Sequence, residues 1–271
     1  MAKSNKVILC GIVKKAPIIN DEGDYGSFIM KTTIGSRYDG EKSKYKYVYN
    51  IIMSRDPAII TKMSELTAFD LVYIKGVMVA KNVTKTHNCK ACHQEIEENG
   101  QVIYVEPIFL ERMDSPGEEN AQKVLNNHEE ISNEVMLVGN ACTEPHKLPS
   151  KKSSKESLKY HLAVKRTYRL KNSTEDEKTD YLIVHSAGEN AKMDYENIHK
   201  GTRVVIDGYI QAYDKEVPCK CPHCGVDHKW TDHRMEVIPY ETEYIFRTER
   251  SENEEDKEEY FDDLDLDFVI E

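Results

Sequence analysis

Apolar and polar residues alternate along most of the chain, and short polar or glycine-rich segments separate the alternating runs. A period of two is typical of strands that bury one face. In the first part of the chain the pattern predicts five strands, at about 5–14, 27–37, 44–54, 71–81 and 101–112. Residues 57–69 instead carry apolar side chains at helical spacing and begin with Pro57, so they predict one short helix.

The second part of the chain repeats this order. Strands are predicted near 133–142, 159–170, 179–186, 203–213 and 234–247, with a helical stretch near 189–199. Five strands with a helix between the third and the fourth is the order of an OB fold, a small Greek-key barrel that often binds oligonucleotides. The pattern therefore predicts a mostly β protein with two tandem OB-fold barrels.

Sequence identities support a duplication. The segment NKVILCG at 5–11 returns as NEVMLVG at 133–139, which is 128 residues later, and VYIKG at 72–76 returns as VVIDG at 204–208, which is 132 residues later. A repeat this long indicates a duplicated domain, because solenoid units have periods of about 20–50 residues. We predict a first domain at 1–113, an acidic linker at 114–132, a second domain at 133–248 and a disordered acidic tail at 249–271.

Charge is distributed unevenly between these parts. The net charge of the 271 residues is −11, but the tail alone contributes −10 and the linker −4. The two domains carry +3 and 0, so the acidity does not argue against an anionic ligand for the folded parts. No run reaches the ~18 apolar residues of a membrane span, and the N-terminus lacks the apolar stretch of a signal peptide, so we expect a cytoplasmic protein.

Several segments together resemble bacterial single-stranded-DNA-binding proteins. They are NKVILCGI at 5–12 with Pro17, its repeat at 133–145, TDYLIV at 179–184 and HKGTRVVIDG at 199–208. The resemblance implies nucleoid-associated, non-enzymatic binding of single-stranded DNA in replication, recombination or repair. Single-domain members of that family assemble as tetramers, and a duplicated chain would reach the same number of barrels as a homodimer.

Basic and aromatic residues interleave on the predicted second and third strands of each repeat. Binding of single strands without sequence readout needs cations for the phosphates and aromatic faces for the bases. Tyr49 and Tyr181 share a repeat position, where the resembled family carries a stacking aromatic, although any one tyrosine could equally cover the barrel core. The predicted contact residues are Lys14, Lys31, Arg37, Tyr38, Lys46, Tyr47, Tyr49, Lys165, Arg166, Tyr168, Arg169 and Tyr181.

Cysteine and histidine clusters lie between the fourth and fifth predicted strands of both repeats. Cys-x-x-Cys turns present two thiolates to one ion, as in structural zinc sites. The second cluster offers Cys219, Cys221, Cys224, His228 and His233, and the first offers His87, Cys89, Cys92 and His93. We predict structural zinc with the second cluster as the better site, so Cys221→Ser should remove more metal than Cys89→Ser. A degenerate first site and one ion shared between the domains remain as alternatives.

The end of the chain alternates acidic and apolar residues, a pattern that suits docking onto a basic, partly apolar pocket of a partner protein. The resembled family ends in a comparable acidic tip that recruits replication and repair enzymes. The predicted contact residues are Phe261, Asp262, Asp263, Leu264, Asp265, Leu266, Asp267 and Phe268.

Other functions fit the sequence less well. A zinc deaminase needs His-x-Glu before Pro-Cys-x-x-Cys, whereas here His93-Gln-Glu95 follows its cysteine pair, so catalysis is disfavoured. An OB scaffold that binds proteins and an RNA-binding protein remain alternatives.

Overall fold

The computed structural model describes residues 3–34, 46–149, 156–166, 168–171 and 179–245. The elements of the first repeat are β1 (Ser4–Val13), β2 (Ile18–Ile19), β3 (Gly26–Ile34), β4 (Lys46–Ser54), α1 (Pro57–Ser64), β5 (Leu71–Asn88) and β6 (Glu95–Asp114). Strand β1 pairs with both β3 and β5, which closes the ring β1-β5-β6-β4-β3. Alternate residues of these strands, such as Val7, Met30 and Ile52, fill the barrel.

Helix α1 begins where the sequence predicts it. The Asp56 side chain accepts a hydrogen bond from the Ala58 amide at 3.0 Å, and Pro57 occupies the first turn, where no amide is needed. The helix buries Ile59, Ile60 and Met63. It therefore covers one end of the first barrel between the third and fourth barrel strands, in the order of an OB fold.

The second repeat has the same architecture. Its elements are β7 (Asn133–Ala141), β8 (His146–Lys147), β9 (Ser157–Lys165), β10 (Thr179–Ala187), α4 (Glu189–Asn197), β11 (Arg203–Lys220) and β12 (Asp227–Ile245). Strand β7 pairs with β11 and β9, which closes the second ring. The predicted mostly β fold with OB-type barrels is confirmed.

Between the barrels, the predicted linker contains α2 (Gly117–Asn126) and α3 (Glu129–Ser132). Ala121 and Leu125 of α2 are buried against Cys10, Ile12 and Leu71. The acidic side chains of α2 stay exposed, while its apolar side chains cover the outside of the first barrel. None of the helices that the structure describes is long and apolar enough to cross a membrane.

The two barrels are joined by an antiparallel pair between β1 and β7, in which Val7 faces Val135. Asn5 and Asn133 lie near the two ends of this pair, at the same repeat position. The Asn5 side chain accepts from the Met78 amide at 2.8 Å and donates to the Met78 carbonyl at 2.7 Å. Asn133 makes the same two bonds with Ile210, at 2.9 and 2.8 Å. Equivalent asparagines of the two repeats therefore make the same hydrogen bonds at the two ends of the β1–β7 pair.

One hairpin of each barrel is longer than the sequence predicts. Strands β5 and β6 stay paired from Lys81–Val102 out to Asn88–Glu95, and β11 and β12 do the same from Tyr213–Arg234 to Lys220–Asp227. We call residues 81–102 the first arm and residues 213–234 the second arm. Their side chains are alternately exposed and half-buried, because the arms leave the barrel core and pack on each other.

Candidate metal centre and nucleic-acid interface

The two arms contact each other through polar side chains along their length. Lys85 Nζ of the first arm lies 2.6 Å from the Asp232 carboxylate of the second, and both side chains are largely buried. Nearer the tips, Trp230 Nε1 donates to Glu98 Oε2 at 3.1 Å. These contacts bring together chain segments that are more than 130 residues apart in sequence, and they place the cysteine turns of the two arms side by side.

The tip of each arm is the same tight turn. The His93 amide donates to the Cys89 carbonyl at 3.0 Å, and the Gly225 amide donates to the Cys221 carbonyl at 2.9 Å. His93 has φ 59° and Gly225 has φ 71°, so both occupy the left-handed region that ends the turn. His93 thus occupies the position that glycine takes in the second arm, and its side chain is exposed.

Four cysteines, two from each arm, form one compact group. Cys89 Sγ is 3.8 Å from Cys224 Sγ, Cys92 Sγ is 3.7 Å from Cys221 Sγ, and all four sulfur atoms lie within 4.8 Å of one another. A tetrahedral ion with metal–sulfur bonds of about 2.3 Å would separate its ligands by about 3.8 Å. The four residues could therefore hold a metal ion between the arms.

The local backbone favours a thiolate at this position. The amides of Cys92 and Ala91 point at the Cys89 sulfur, and these hydrogen bonds lower the pKa of Cys89 to about 6. A thiolate is the form that binds metal. Ile96 packs against Cys89 and Cys221, so the inner side of the group is apolar.

A second group lies further down the arms. His87 Nε2 is 3.3 Å from Cys219 Sγ, and that sulfur is 3.1 Å from His228 Nε2. The His87 ring also stacks on Trp230, with the ring centroids 4.8 Å apart and the planes at 19°. The second arm therefore gives its cysteines to two different groups.

The structure groups the candidate ligands differently from one site per repeat. Cys221 and Cys224 lie with the cysteines of the other arm, as in the shared-ion alternative, and not with His228 and His233. His233 lies outside both groups: Nδ1 faces the Asp214 carboxylate at 2.8 Å and Nε2 faces the Tyr49 carbonyl at 3.0 Å. His93 also lies outside both groups.

On the first barrel, the predicted DNA-contacting residues divide into an open part and a covered part. Lys14, Lys46 and Tyr49 are exposed, and Lys14 Nζ lies 4.5 Å from the centre of the Tyr49 ring. Lys31 Nζ similarly lies 4.3 Å from the Tyr47 ring, but this pair is covered by α2. Asn126 and Gln122 of α2 accept hydrogen bonds from Tyr47 and Lys31, respectively. The sequence analysis did not single out either acceptor.

Two hydrogen bonds tie the covered pair to α2, one from Tyr47 Oη to Asn126 at 3.1 Å and one from Lys31 Nζ to Gln122. Burial also lowers the pKa of Lys31. Because their polar atoms are bonded to the helix, Tyr47 and Lys31 are less available to a ligand than Tyr49 and Lys14 are.

On the second barrel, Lys165 and Arg169 are exposed and Tyr181 is half-buried on the outer face of β10. Tyr168 packs with Leu170 against apolar residues of the first barrel. Arg166 is only 6% exposed, and its Nε lies 2.8 Å from Asp180 Oδ2, which has no exposure. Its guanidinium is therefore engaged within the protein and not presented to a phosphate.

Two groups of predicted residues lie outside the part of the chain that the structure describes. They are Arg37 and Tyr38 in the first repeat and the tail residues 261–268. Among described residues, Glu98 and Trp230 are site neighbours that the sequence analysis missed. Their separation of 132 residues, the same as between the two cysteine pairs, is the signal that could have found them.

Comparisons with known proteins agree with this fold. Residues 132–218 match the model of the single-strand binding protein family. The chain is also similar to the crystal structure of the wild-type single-stranded DNA binding protein from Thermus aquaticus, with a TM-score of 0.59, 15% identity and coverage of 92% of this chain and 97% of that one. A deletion mutant of the Thermus aquaticus protein matches with a TM-score of 0.56, 15% identity and coverage of 93% and 100%.

Among curated proteins, none matches the sequence of this chain. The family match spans the second repeat as far as residue 218, within the second arm, and the structural similarity extends over both repeats. The resemblance that the sequence predicted is confirmed.

Proposed function

We propose that this chain binds single-stranded DNA without reading its sequence, and that it coats and protects single strands during replication, recombination or repair in the cytoplasm. The observation that carries the proposal is the family match over residues 132–218, a segment that contains β9 and β10 with Lys165, Arg169 and Tyr181. The proposed role of these residues is binding, not catalysis.

Side chains on the outer faces of the two barrels supply what an unpaired strand needs. The second and third strands of an OB barrel form its usual oligonucleotide face, and here Tyr49 and Tyr181 lie at equivalent places on the third barrel strand. Lys14 Nζ lies over the Tyr49 ring in the first barrel, and in the second barrel Lys165 faces Thr179, two residues before Tyr181. Aromatic faces stack on bases and the cations neutralise phosphates, and neither contact depends on base identity.

A salt titration tests the proposal directly. The full chain is titrated with single-stranded DNA, duplex DNA and single-stranded RNA of equal length at several salt concentrations. Single-stranded DNA should bind more tightly than duplex, and log affinity should fall linearly with log salt at about −0.7 per neutralised phosphate. Equal affinity for duplex would overturn the proposal, and a clear preference for RNA would favour the RNA-binding alternative.

We propose further that zinc occupies the four-cysteine group in a structural role. Four thiolates in tetrahedral spacing are the donor set that zinc prefers, and an all-protein ligand shell leaves no position for a substrate. Cys89 and Cys92 come from the first arm and Cys221 and Cys224 from the second. The bound ion would therefore cross-link the arms and fix the orientation of the two barrels.

The acidic tail at 249–271 is proposed to recruit replication or recombination proteins. Its composition supports this, because Phe261, Leu264, Leu266 and Phe268 serve no solubilising purpose among acidic residues.

A homodimer with four barrels is proposed as the assembly. Size-exclusion chromatography with light scattering would test it, and a monomer of 31.3 kDa would contradict it.

A further inference from the structure

We propose that the arms hold a second metal ion, bound by His87, Cys219 and His228. The three nitrogen and sulfur atoms lie within 4.8 Å of one another, although His87 belongs to the first arm and the other two residues to the second. Sulfur and nitrogen ligands of a tetrahedral zinc ion are about 3.6 Å apart, and the measured separations of 3.3 and 3.1 Å lie close to that value.

Trp230 supports the set from the second arm. Its Nε1 donates to Glu98 Oε2 at 3.1 Å. The same Trp230 ring stacks on His87. Trp230 therefore orients one of the three ligands, a role that outer-shell partners play in protein metal sites.

The donor chemistry distinguishes this site from the four-cysteine group. One thiolate and two neutral imidazoles supply a single negative charge to a divalent ion, whereas four thiolates supply four. Thiolate and imidazole ligands together select zinc or cobalt over magnesium and calcium, which prefer oxygen ligands. Because it has a single sulfur ligand, the second site should bind zinc more weakly and exchange it faster than the first.

The location gives the second ion a physical consequence. The site joins the shafts of the arms, while the four-cysteine group joins their tips, so the two ions would prevent the arms from sliding or rotating past each other. The proposal does not rest on DNA binding. Metal content is measured on the free protein, so its failure would leave the DNA-binding proposal untouched.

The experiment counts metal in the full chain after loading with zinc and dialysis without a chelator. We expect two equivalents in the wild type, one in His228→Gln and one in Cys221→Ser. His93→Asn is the matched control, since His93 is an exposed histidine of the first arm that belongs to neither group, and it should keep two equivalents. One equivalent in the wild type, unchanged in His228→Gln and lost in Cys221→Ser, would overturn the proposal.

Cobalt(II) spectra separate loss of the site from loss of the fold. In His228→Gln the thiolate charge-transfer bands of the four-cysteine group should remain as in the wild type, which shows that the arms are still assembled. The second cobalt in the wild type should add a weaker charge-transfer band, because it has one thiolate ligand instead of four.

Discussion

Val7 and Val135 occupy the same position in the two repeats, and they face each other across the strands that join the barrels. The pairs around them are symmetric, since Asn5 faces Leu137 while Leu9 faces Asn133. A contact in which one surface meets its own equivalent is the hallmark of a two-fold interface between identical subunits. Duplication has placed both sides of such an interface in a single chain.

The same symmetry reaches the arms. His87 contacts Cys219, its own repeat equivalent 132 residues later, and each Cys-x-x-Cys pair faces the other. The symmetry is broken further down the arms, where His228 has Ile96 as its equivalent. The four-cysteine group is therefore nearly symmetric, and the histidine-containing group is not.

Cys89→Ser and Cys221→Ser should now lose zinc to the same extent, because both residues serve one ion. The sequence alone predicted a larger loss for Cys221→Ser. Metal analysis of protein purified without chelators measures this, with Cys142→Ser as the control because Cys142 belongs to neither group. Retention of zinc in Cys89→Ser but not in Cys221→Ser would show that the arms do not share an ion.

Tyr49→Ala combined with Tyr181→Ala should weaken binding to single-stranded DNA by about 1–3 kcal/mol for each lost stack. The matched control replaces both residues by phenylalanine, which keeps the rings and should keep most of the affinity. Fluorescence anisotropy at fixed salt gives the affinities, and circular dichroism shows whether the variants are folded. Normal binding by the folded double alanine variant would assign both tyrosines to packing alone.

Arg166→Met should destabilise the protein, because it leaves the buried Asp180 carboxylate without its cation. Breaking a buried ion pair from one side costs about 3–5 kcal/mol. Lys165→Met removes the neighbouring exposed cation and should instead weaken DNA binding with little effect on the free energy of unfolding. Urea unfolding and DNA titration of both variants test the contrast. If the Arg166→Met variant had wild-type stability but bound DNA more weakly, Arg166 would be a DNA-contacting residue.

Glu106 should make stability depend on pH. Burial raises the pKa of Glu106 to about 7 from 4.5, although Ser54 and the Arg55 amide donate to its carboxylate. The folded state therefore holds the proton more strongly than the unfolded chain does. The resulting stabilisation is fully present below about pH 4.5 and is lost as the pH rises through 7.

Glu106→Gln removes this titration. Between pH 5 and pH 8 the free energy of unfolding of the wild type should fall relative to that of the variant, by at most about 3 kcal/mol. Urea unfolding at both pH values measures it, and Glu111→Gln, an exposed change in the same strand, is the control. A constant difference between the wild type and Glu106→Gln would contradict the raised pKa.

Truncation after Thr248 should tighten binding to single-stranded DNA at low salt. The removed tail carries −10 and would compete with phosphates for the exposed cations of the barrels. Because salt screens this competition, the gain should shrink as the salt concentration rises. The truncated chain should also lose the replication or recombination proteins that the full chain captures. Unchanged low-salt affinity together with unchanged capture would reduce the tail to a solubilising segment.

The sequence by itself determined the five barrel strands and the one barrel helix of each repeat and their order, but not the linker helices α2 and α3. Strand alternation and the helix that begins at Pro57 are local patterns, and local patterns are fixed by the side chains within a few residues. The same is true of the two Cys-x-x-Cys turns, which the structure shows at the arm tips. The arms were predicted too short, because their polar alternating residues have no barrel core to bury and resemble a loop.

Only the tertiary structure decided which residues act together. The sharing of cysteines between the arms, the burial of Arg166 against Asp180 and the approach of His87 to Cys219 all depend on how the two barrels meet. That arrangement is set by the β1–β7 pair, which joins residues more than 120 positions apart. No local pattern contains such a distance, so the sequence supplied the ligands and the cations but not their partners.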